Sequence, residues 1–288
     1  SRKSPYLPTA PRAPRSIQNV LSWVDAAVLA GEGAGSGLIY RGRVQRGSES
    51  TERTLQMFFR VADGTLKFDP SWPQLDALDG YVSINNGTVD IVAEGGSTLG
   101  IEFNSSVANV RPNENGSGSW LTVSGQGRGS AAQGLQYLQL APVTEGVGQY
   151  FSNWQAEGDT DIELALSFPL AIENAKPTVS LALSFNDNKL LIPEYHLPLE
   201  DVSGRLFYSD ASGLRSEALT ASVFGETISA DLVADGLATN ASEPVETRSS
   251  LLRWQGVAHP QSLVEWEGMP SAVKPILNRL DGVFNYQA

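Results

Sequence analysis

Two histidines, a few closely spaced carboxylates and two glycine-rich runs are where this chain gathers side chains with chemical potential. A hydrolytic triad or a zinc centre requires a histidine beside a nucleophile, a carboxylate or further ligands. His196 and His259 stand far apart, each near a proline in an expected turn or helix start, so both read as surface residues. Asp159 with Asp161, and Glu265 with Glu267, have the types of a glycosidase pair or of calcium ligands. A calcium loop also needs a fixed glycine and a distal glutamate, which do not follow, so these pairs read as solvated. Gly31 to Gly37 has the composition of a phosphate loop but lies between an expected helix and an expected strand. The dinucleotide fingerprint demands strand before and helix after, so the run reads as a link. Gly125 to Gly129 precedes a helix but lacks a βαβ setting and reads as a turn. With no cysteine, thiol catalysis, disulfides and thiolate metal sites are excluded. The reading is of a chain without catalysis, cofactor or metal.

The elements around these residues are those of a β-rich protein. Charged residues are 18% of the 288, glycine numbers 28, and serine and threonine abound, which suits many strands and turns. The net charge of −12 argues against nucleic acid and against charge docking on anionic headgroups, but not against apolar binding of lipid tails. No stretch approaches the roughly 18 apolar residues of a membrane helix.

Residues 1–15, with four prolines and four basic residues, read as an extended arm. Apolar positions 17, 20, 21, 24, 27 and 28 predict a helix over Ile17 to Ala30, capped by Ser16. Short period-2 strands follow at Leu38–Val44, Leu55–Val61, Thr65–Phe68, Tyr81–Ile84, Thr88–Val92, Leu99–Phe103 and Trp120–Val123, with turn signals at Asp63-Gly64, Asn86-Gly87 and Gly95-Gly96. Helices are expected over Ala131–Leu140 and Val143–Gln155. Strands resume at Asp161–Phe168, Val179–Phe185, Leu190–Ile192, Arg205–Tyr208, Ser222–Val223, Ile228–Leu232 and Leu251–Trp254. Gln261–Glu267 and Ser271–Leu280 read as helical, and Val283–Tyr286 as a strand. Trp23, Trp154 and Trp266 fall in expected helices, as anchors to the sheet.

The chain repeats itself. Thr65-Leu66-Lys67-Phe68, Leu75, Leu78 and Gly80-Tyr81-Val82 return 124 residues later as Lys189-Leu190-Leu191-Ile192, Leu199, Val202 and Gly204-Arg205-Leu206. Asp63 pairs with Asp187 at that offset, and Thr98 to Ile101 aligns with Thr227 to Ala230 at 129. The units expected are an arm at 1–15, a helix-plus-meander repeat at 16–128, a second at 129–257, and the start of a third at 258–288. Repeated units build extended surfaces more readily than a single catalytic centre.

A meander of antiparallel strands with one apolar face must either fold over as a sandwich or curl into a trough, and periodicity favours the sandwich. A cell-surface or adhesive β-protein with a closed core, and a carbohydrate-active enzyme using acidic pairs, are therefore alternative functions.

Phe68-Asp69-Pro70-Ser71-Trp72-Pro73-Gln74-Leu75, then Leu78 and Gly80, resembles a recurring signature of the YhdP-type AsmA-like proteins of the bridge-like lipid-transfer superfamily. Tyr6-Leu7-Pro8, Pro142 to Trp154, and Asn188 to Pro193 with Leu199, Val202 and Gly204 are similar to further parts of that family, in the same order. The second unit departs from the signature, with His196-Leu197 in place of Trp72-Pro73. The resemblance implies a long twisted β-trough with an apolar interior and short helices at the repeat junctions. It implies a periplasmic segment of a Gram-negative protein anchored in the inner membrane, carrying phospholipid towards the outer membrane, with phospholipid and neighbouring repeats as partners. Apolar strand faces become the expected groove lining: Leu66 and Phe68; Val82 and Ile84; Leu99, Ile101 and Phe103; Ile162, Leu164 and Leu166; Leu181, Leu183 and Phe185; Leu190 and Ile192; Leu206 and Tyr208. Edge-to-edge dimers are expected of such a segment.

Overall fold

The structure, a computed structural model, describes residues 26–42, 54–114, 118–140, 153–234 and 250–287. Six strands come first: β1 (Val28–Arg41), β2 (Thr54–Leu66), β3 (Leu75–Asn85), β4 (Thr88–Thr98), β5 (Ile101–Pro112) and β6 (Ser119–Ser130). Helix α1 (Ala131–Leu140) follows, then β7 (Gln155–Glu157), β8 (Asp159–Leu170), β9 (Thr178–Ile192), β10 (Leu197–Ser209), β11 (Gly213–Val223), β12 (Glu226–Ala234) and β13 (Ser250–Ala258). Two short helices, α2 (Pro260–Glu265) and α3 (Lys274–Leu277), precede β14 (Phe284–Gln287). All 14 strands form one antiparallel sheet in chain order, with β7 set beside β8 on the same neighbour, β9. No second layer is packed on it among the described residues, so the sandwich favoured by periodicity is not formed. The sheet is an open, twisted trough.

The register shows why one face is apolar. A first inner row runs Met57, Ile84, Val89, Val110, Leu121, Phe168 across β2 to β8. A second runs Phe59, Val82, Ile91, Ala108, Val123, Leu166, Val179. Between them, on the opposite face, lies Phe58, Ser83, Asp90, Asn109, Thr122, Ser167, Thr178. Directly opposed residues of an antiparallel ladder share a face, so the alternation separates an apolar lining from a mostly polar exterior. Ile84, Val89, Val110 and Leu121 pack as one fully buried cluster. The outer face carries cross-strand ion pairs, Arg60 with Glu94, Arg111 with Asp90 and Arg128 with Asp161, all well exposed and so worth little individually.

Bulges bend the sheet. Asp63, Ala77, Asp187, Asp201 and Ala218 sit inside strands with positive φ, and the pairing slips beside each of them. An extra residue on one strand kinks it and strengthens its twist, which curls a flat meander into a trough. The 124-residue correspondence recurs in this geometry. Val61–Gly80, Gly64–Leu78 and Leu66–Leu75 are paired in the first unit, and Phe185–Gly204, Asn188–Val202 and Leu190–Leu199 in the second. The bulged amide of Asp63 donates to Asp79, and that of Asp187 donates to Ser203, again 124 residues on.

Several expectations change for the same reason. Asp63-Gly64 belongs to a bulge inside β2 and Gly95-Gly96 lies within β4 beside a slip at Glu94, so neither is a turn, the expected short strands merge, and among the described residues six long ones precede α1. Leu99 is not in a strand: Leu99 and Gly100, both at positive φ, form the β4–β5 turn, which reappears as Phe224 and Gly225. The offset there is 125, not 129, since Thr98 pairs with Ile101 as Val223 pairs with Glu226. Gly31 to Gly37 belongs to β1, as do Val28 to Ala30, so the expected helix does not extend to Ala30. Glycine suits that strand because a Cβ at Gly37 would fall 2.3 Å from the ring of Phe58, which lies across it. Gly125 to Gly129 lies within β6.

Helix α1 occupies its expected span and opens with a reciprocal cap. The Ser130 hydroxyl accepts from the Gln133 amide, and the Gln133 side chain accepts from the Ser130 amide. Of the helix expected over Val143–Gln155, residues 143–152 lie outside the described part, Trp154 is not helical and Gln155 opens β7. The helix expected at Ser271–Leu280 shortens to α3. Residues 1–15, the helix residues up to Asp25, and Trp23 lie outside the described residues.

Candidate functional site

A third inner row explains where the trough is hollow. It runs Val61, Gly80, Ala93, Ser106, Gly125, Leu164, Leu181, Tyr208 from β2 to β10. The next holds Gly96, Phe103, Gly127, Ile162, Leu183 and Leu206. The first two rows fill their space largely with branched and aromatic side chains. The third and fourth place glycine, alanine and serine, with Phe103 the exception, on β3 to β6 opposite leucines and Ile162 on β8 and β9. The result is a half-open apolar cavity of about 190 Å³.

Nine of the expected lining residues meet at this cavity: Leu66, Phe68, Ile101, Phe103, Ile162, Leu164, Leu166, Leu181 and Leu183. Val82 packs with the buried cluster around Ile84 beside it. Tyr208 packs with Trp72, Leu166 and Val179, and Leu206 stands opposite Leu183. Phe185 and Leu190 belong to a separate cluster farther along, around Leu197, Val202, Ala221, Val223 and Ile228. Ile192 ends β9 opposite Leu197, and Leu99 is half-buried in its turn.

Other lining residues were not among those expected to line the groove. Leu75, Leu78, Ile91, Leu121 and Val123 lie on strands or turn edges whose alternation could have revealed them. Gly125 and Gly127 could not be found that way, because their contribution is the missing side chain. Tyr137 of α1 also lines the cavity, and burial pushes its phenol up to about 12, so it stays neutral. A further contributor, Trp72, comes from the loop of residues 67–74 between β2 and β3. Its side chain is 1% exposed and packs on Leu166 of β8 and Val179 of β9, five and six places along the sheet. The curl of the trough brings those elements together.

The polar candidates are placed elsewhere. His196, exposed at the turn into β10, stands 3.5 Å from Glu267, and His259 lies 3.1 Å from Glu226. Asp161 pairs with Arg128 on the outer face. Among the described residues no three metal-ligating side chains converge. Trp266 anchors the chain after α2 by donating its indole N–H to the carbonyl of His196 at 2.9 Å and packing on Phe224.

A one-sided apolar trough built from a repeated meander is the architecture that the signature around Phe68 to Gly80 implied, and the family profile described as "YhdP protein" matches residues 6–288. The chain belongs to the YhdP family. That makes it an AsmA-like protein of the bacterial envelope, from a family related to lipid transport. No curated protein and no solved structure matches it closely enough to add a named relative. Among the described residues of this YhdP-family chain, no helix is long and apolar enough to cross a membrane.

Proposed function

We propose that the trough is a conduit for phospholipid acyl chains between the inner and outer membranes, in the periplasm of a Gram-negative bacterium, within a protein anchored in the inner membrane. The observation that carries this reading is the row pattern. Apolar residues follow one another across at least six strands on the inner face, while the row between them on the outer face is polar apart from Phe58. Acyl chains are non-directional ligands, each buried methylene contributing about 0.8 kcal/mol, so a sliding path needs apolar lining and no specific polar readers. An apolar cavity of about 150 Å³ holds a benzene ring, which sets the scale for the 190 Å³ here: one short acyl segment at a time.

In this reading the chain performs no catalysis, and its partners are phospholipid and neighbouring repeats. The closed-core adhesive alternative needs two packed layers, and the strands here form a single sheet. Native mass spectrometry of the detergent-free chain, incubated with phosphatidylethanolamine vesicles and followed by lipid analysis of what is released, tests the reading. Phospholipid adducts are expected; a bare mass after incubation refutes the conduit.

A further inference from the structure

We infer that Trp72 and its loop form a displaceable partition across the trough, lifted by an acyl chain that occupies the cavity. This rests on the conduit reading and adds a specific moving part to it.

The loop is set up to move as a unit. Asp69 accepts from the amide of Ser71 at 2.8 Å and from its hydroxyl. The Trp72 amide donates to the carbonyl of Asp69 at 3.2 Å, and the Lys67 ammonium donates to the carbonyl of Trp72. Pro70 and Pro73 restrict the backbone on either side of the tryptophan. These bonds lie within the loop, so they survive if residues 68–73 swing about its two ends, which are fixed where the Lys67 amide donates to the carbonyl of Ala27 and the Thr98 hydroxyl donates to the carbonyl of Gln74. Only side-chain packing holds the indole to β8 and β9.

That packing is compromised. The indole Nε1–H of Trp72 is buried and, among the described residues, has no hydrogen-bond partner. A buried indole N–H usually finds an acceptor, and one that does not makes the docked position poorer than its contact area alone implies. Trp72 also lines the cavity and packs against Leu166, which lines it too. An incoming chain therefore competes with the indole for the same apolar wall, while the displaced indole regains water for its N–H.

The second unit lacks the device in this form. Its β9–β10 ladder continues through Leu191–Pro198 and Ile192–Leu197, leaving a tight turn at 193–196. The corresponding ladder of the first unit stops at Leu66–Leu75, which frees the longer loop. His196, where the repeat would place the tryptophan, is exposed and its carbonyl is held by Trp266.

The test uses the wild-type chain, unloaded and loaded with 1-palmitoyl-2-oleoyl-phosphatidylethanolamine, with occupancy read by native mass spectrometry on the same samples. Hydroxyl-radical footprinting then measures oxidation at Trp72. Oxidation is expected to rise about fivefold on loading, as a protected side chain becomes solvent-exposed. Bound lipid with Trp72 as protected as before overturns the partition and leaves the conduit standing; absence of lipid from the mass spectrum overturns both. In the folded Trp72→Ala variant, uptake and release of a fluorescent fatty acid are each expected to accelerate about tenfold with nearly constant affinity, the mark of a removed gate. Unchanged rates contradict the proposal. Should that variant fail to fold, the wild-type footprint decides alone.

Discussion

A Cβ built on Gly158 would lie 2.7 Å from Nδ2 of Asn188. Asn188, 2% exposed, fills the break between β7 and β8, donating to the carbonyls of Glu157 at 3.2 Å and Asp159 at 3.0 Å. Its carbonyl oxygen accepts from the amide of Asn186 at 2.9 Å, within the bulge at Asp187. The carbonyl of Gly158 in turn accepts from the amide of Ala131, so the kink also seats the start of α1.

Replacing either partner should be costly. Gly158→Ala meets both a φ of +99° and the Asn188 side chain, and Asn188→Ala leaves two carbonyls and an amide without their partner. Each is expected to cost about 2–3 kcal/mol in urea denaturation. A loss below about 0.5 kcal/mol in either would show that the kink is not held by this pair.

Charge should matter on one face only. Leu183→Asp places a carboxylate on the cavity wall, whereas Phe58→Asp places one on the exterior, where Phe58 is already 58% exposed. The first is expected to abolish phospholipid adducts in native mass spectra while the protein stays folded by circular dichroism, and the second to retain them. Equal lipid binding by both variants would remove Leu183 from the lining.

Alkaline pH should weaken the fold through Tyr137. Its folded-state value is raised to about 12 by burial, against about 10 in the unfolded chain. Below pH 10 both states hold the proton and nothing changes. Between about 10 and 12 the unfolded state loses its proton first, so stability falls as pH rises. The difference between wild type and Tyr137→Phe in denaturation midpoints should stay constant below about pH 10 and change, to the disadvantage of the wild type, above it.

The cap on α1 offers a local test. Ser130→Ala removes the acceptor for the Gln133 amide and is expected to cost about 1 kcal/mol. Hydrogen exchange should quicken at the first amides of α1, with β3 and β4 unaffected.

Among the described residues, strand β14 pairs on one side only, with β13. Such an edge recruits strands from other copies. Sedimentation velocity should show dimers growing with concentration, and a monomer throughout the accessible range would exclude edge pairing.

Much of this architecture was legible residue by residue. The alternation at Ile162, Leu164 and Leu166 marks one face of a strand because successive side chains point to opposite sides, and that is a property of near neighbours. Asn86-Gly87 carries its turn in its own backbone preference, and Ser130 with Gln133 carries its cap. The repeat itself, Leu66 to Gly80 against Leu190 to Gly204, is a comparison of the chain with itself.

What only the tertiary structure decided depends on residues distant in sequence. Asp63-Gly64 and Gly125 to Gly129 have the composition of turns, and nothing local separates a turn from a bulge or a bare patch on a strand; the partner strand makes the difference. The cavity required Ala93, Ser106 and Gly125 to fall in one row, which is a matter of register across three strands. Trp72 between two prolines announces a stiff loop, yet only the accumulated twist of the sheet carries that loop to Leu166 and Val179. Local preferences select strands and turns, whereas register and curvature arise from pairings between segments the chain must first bring together.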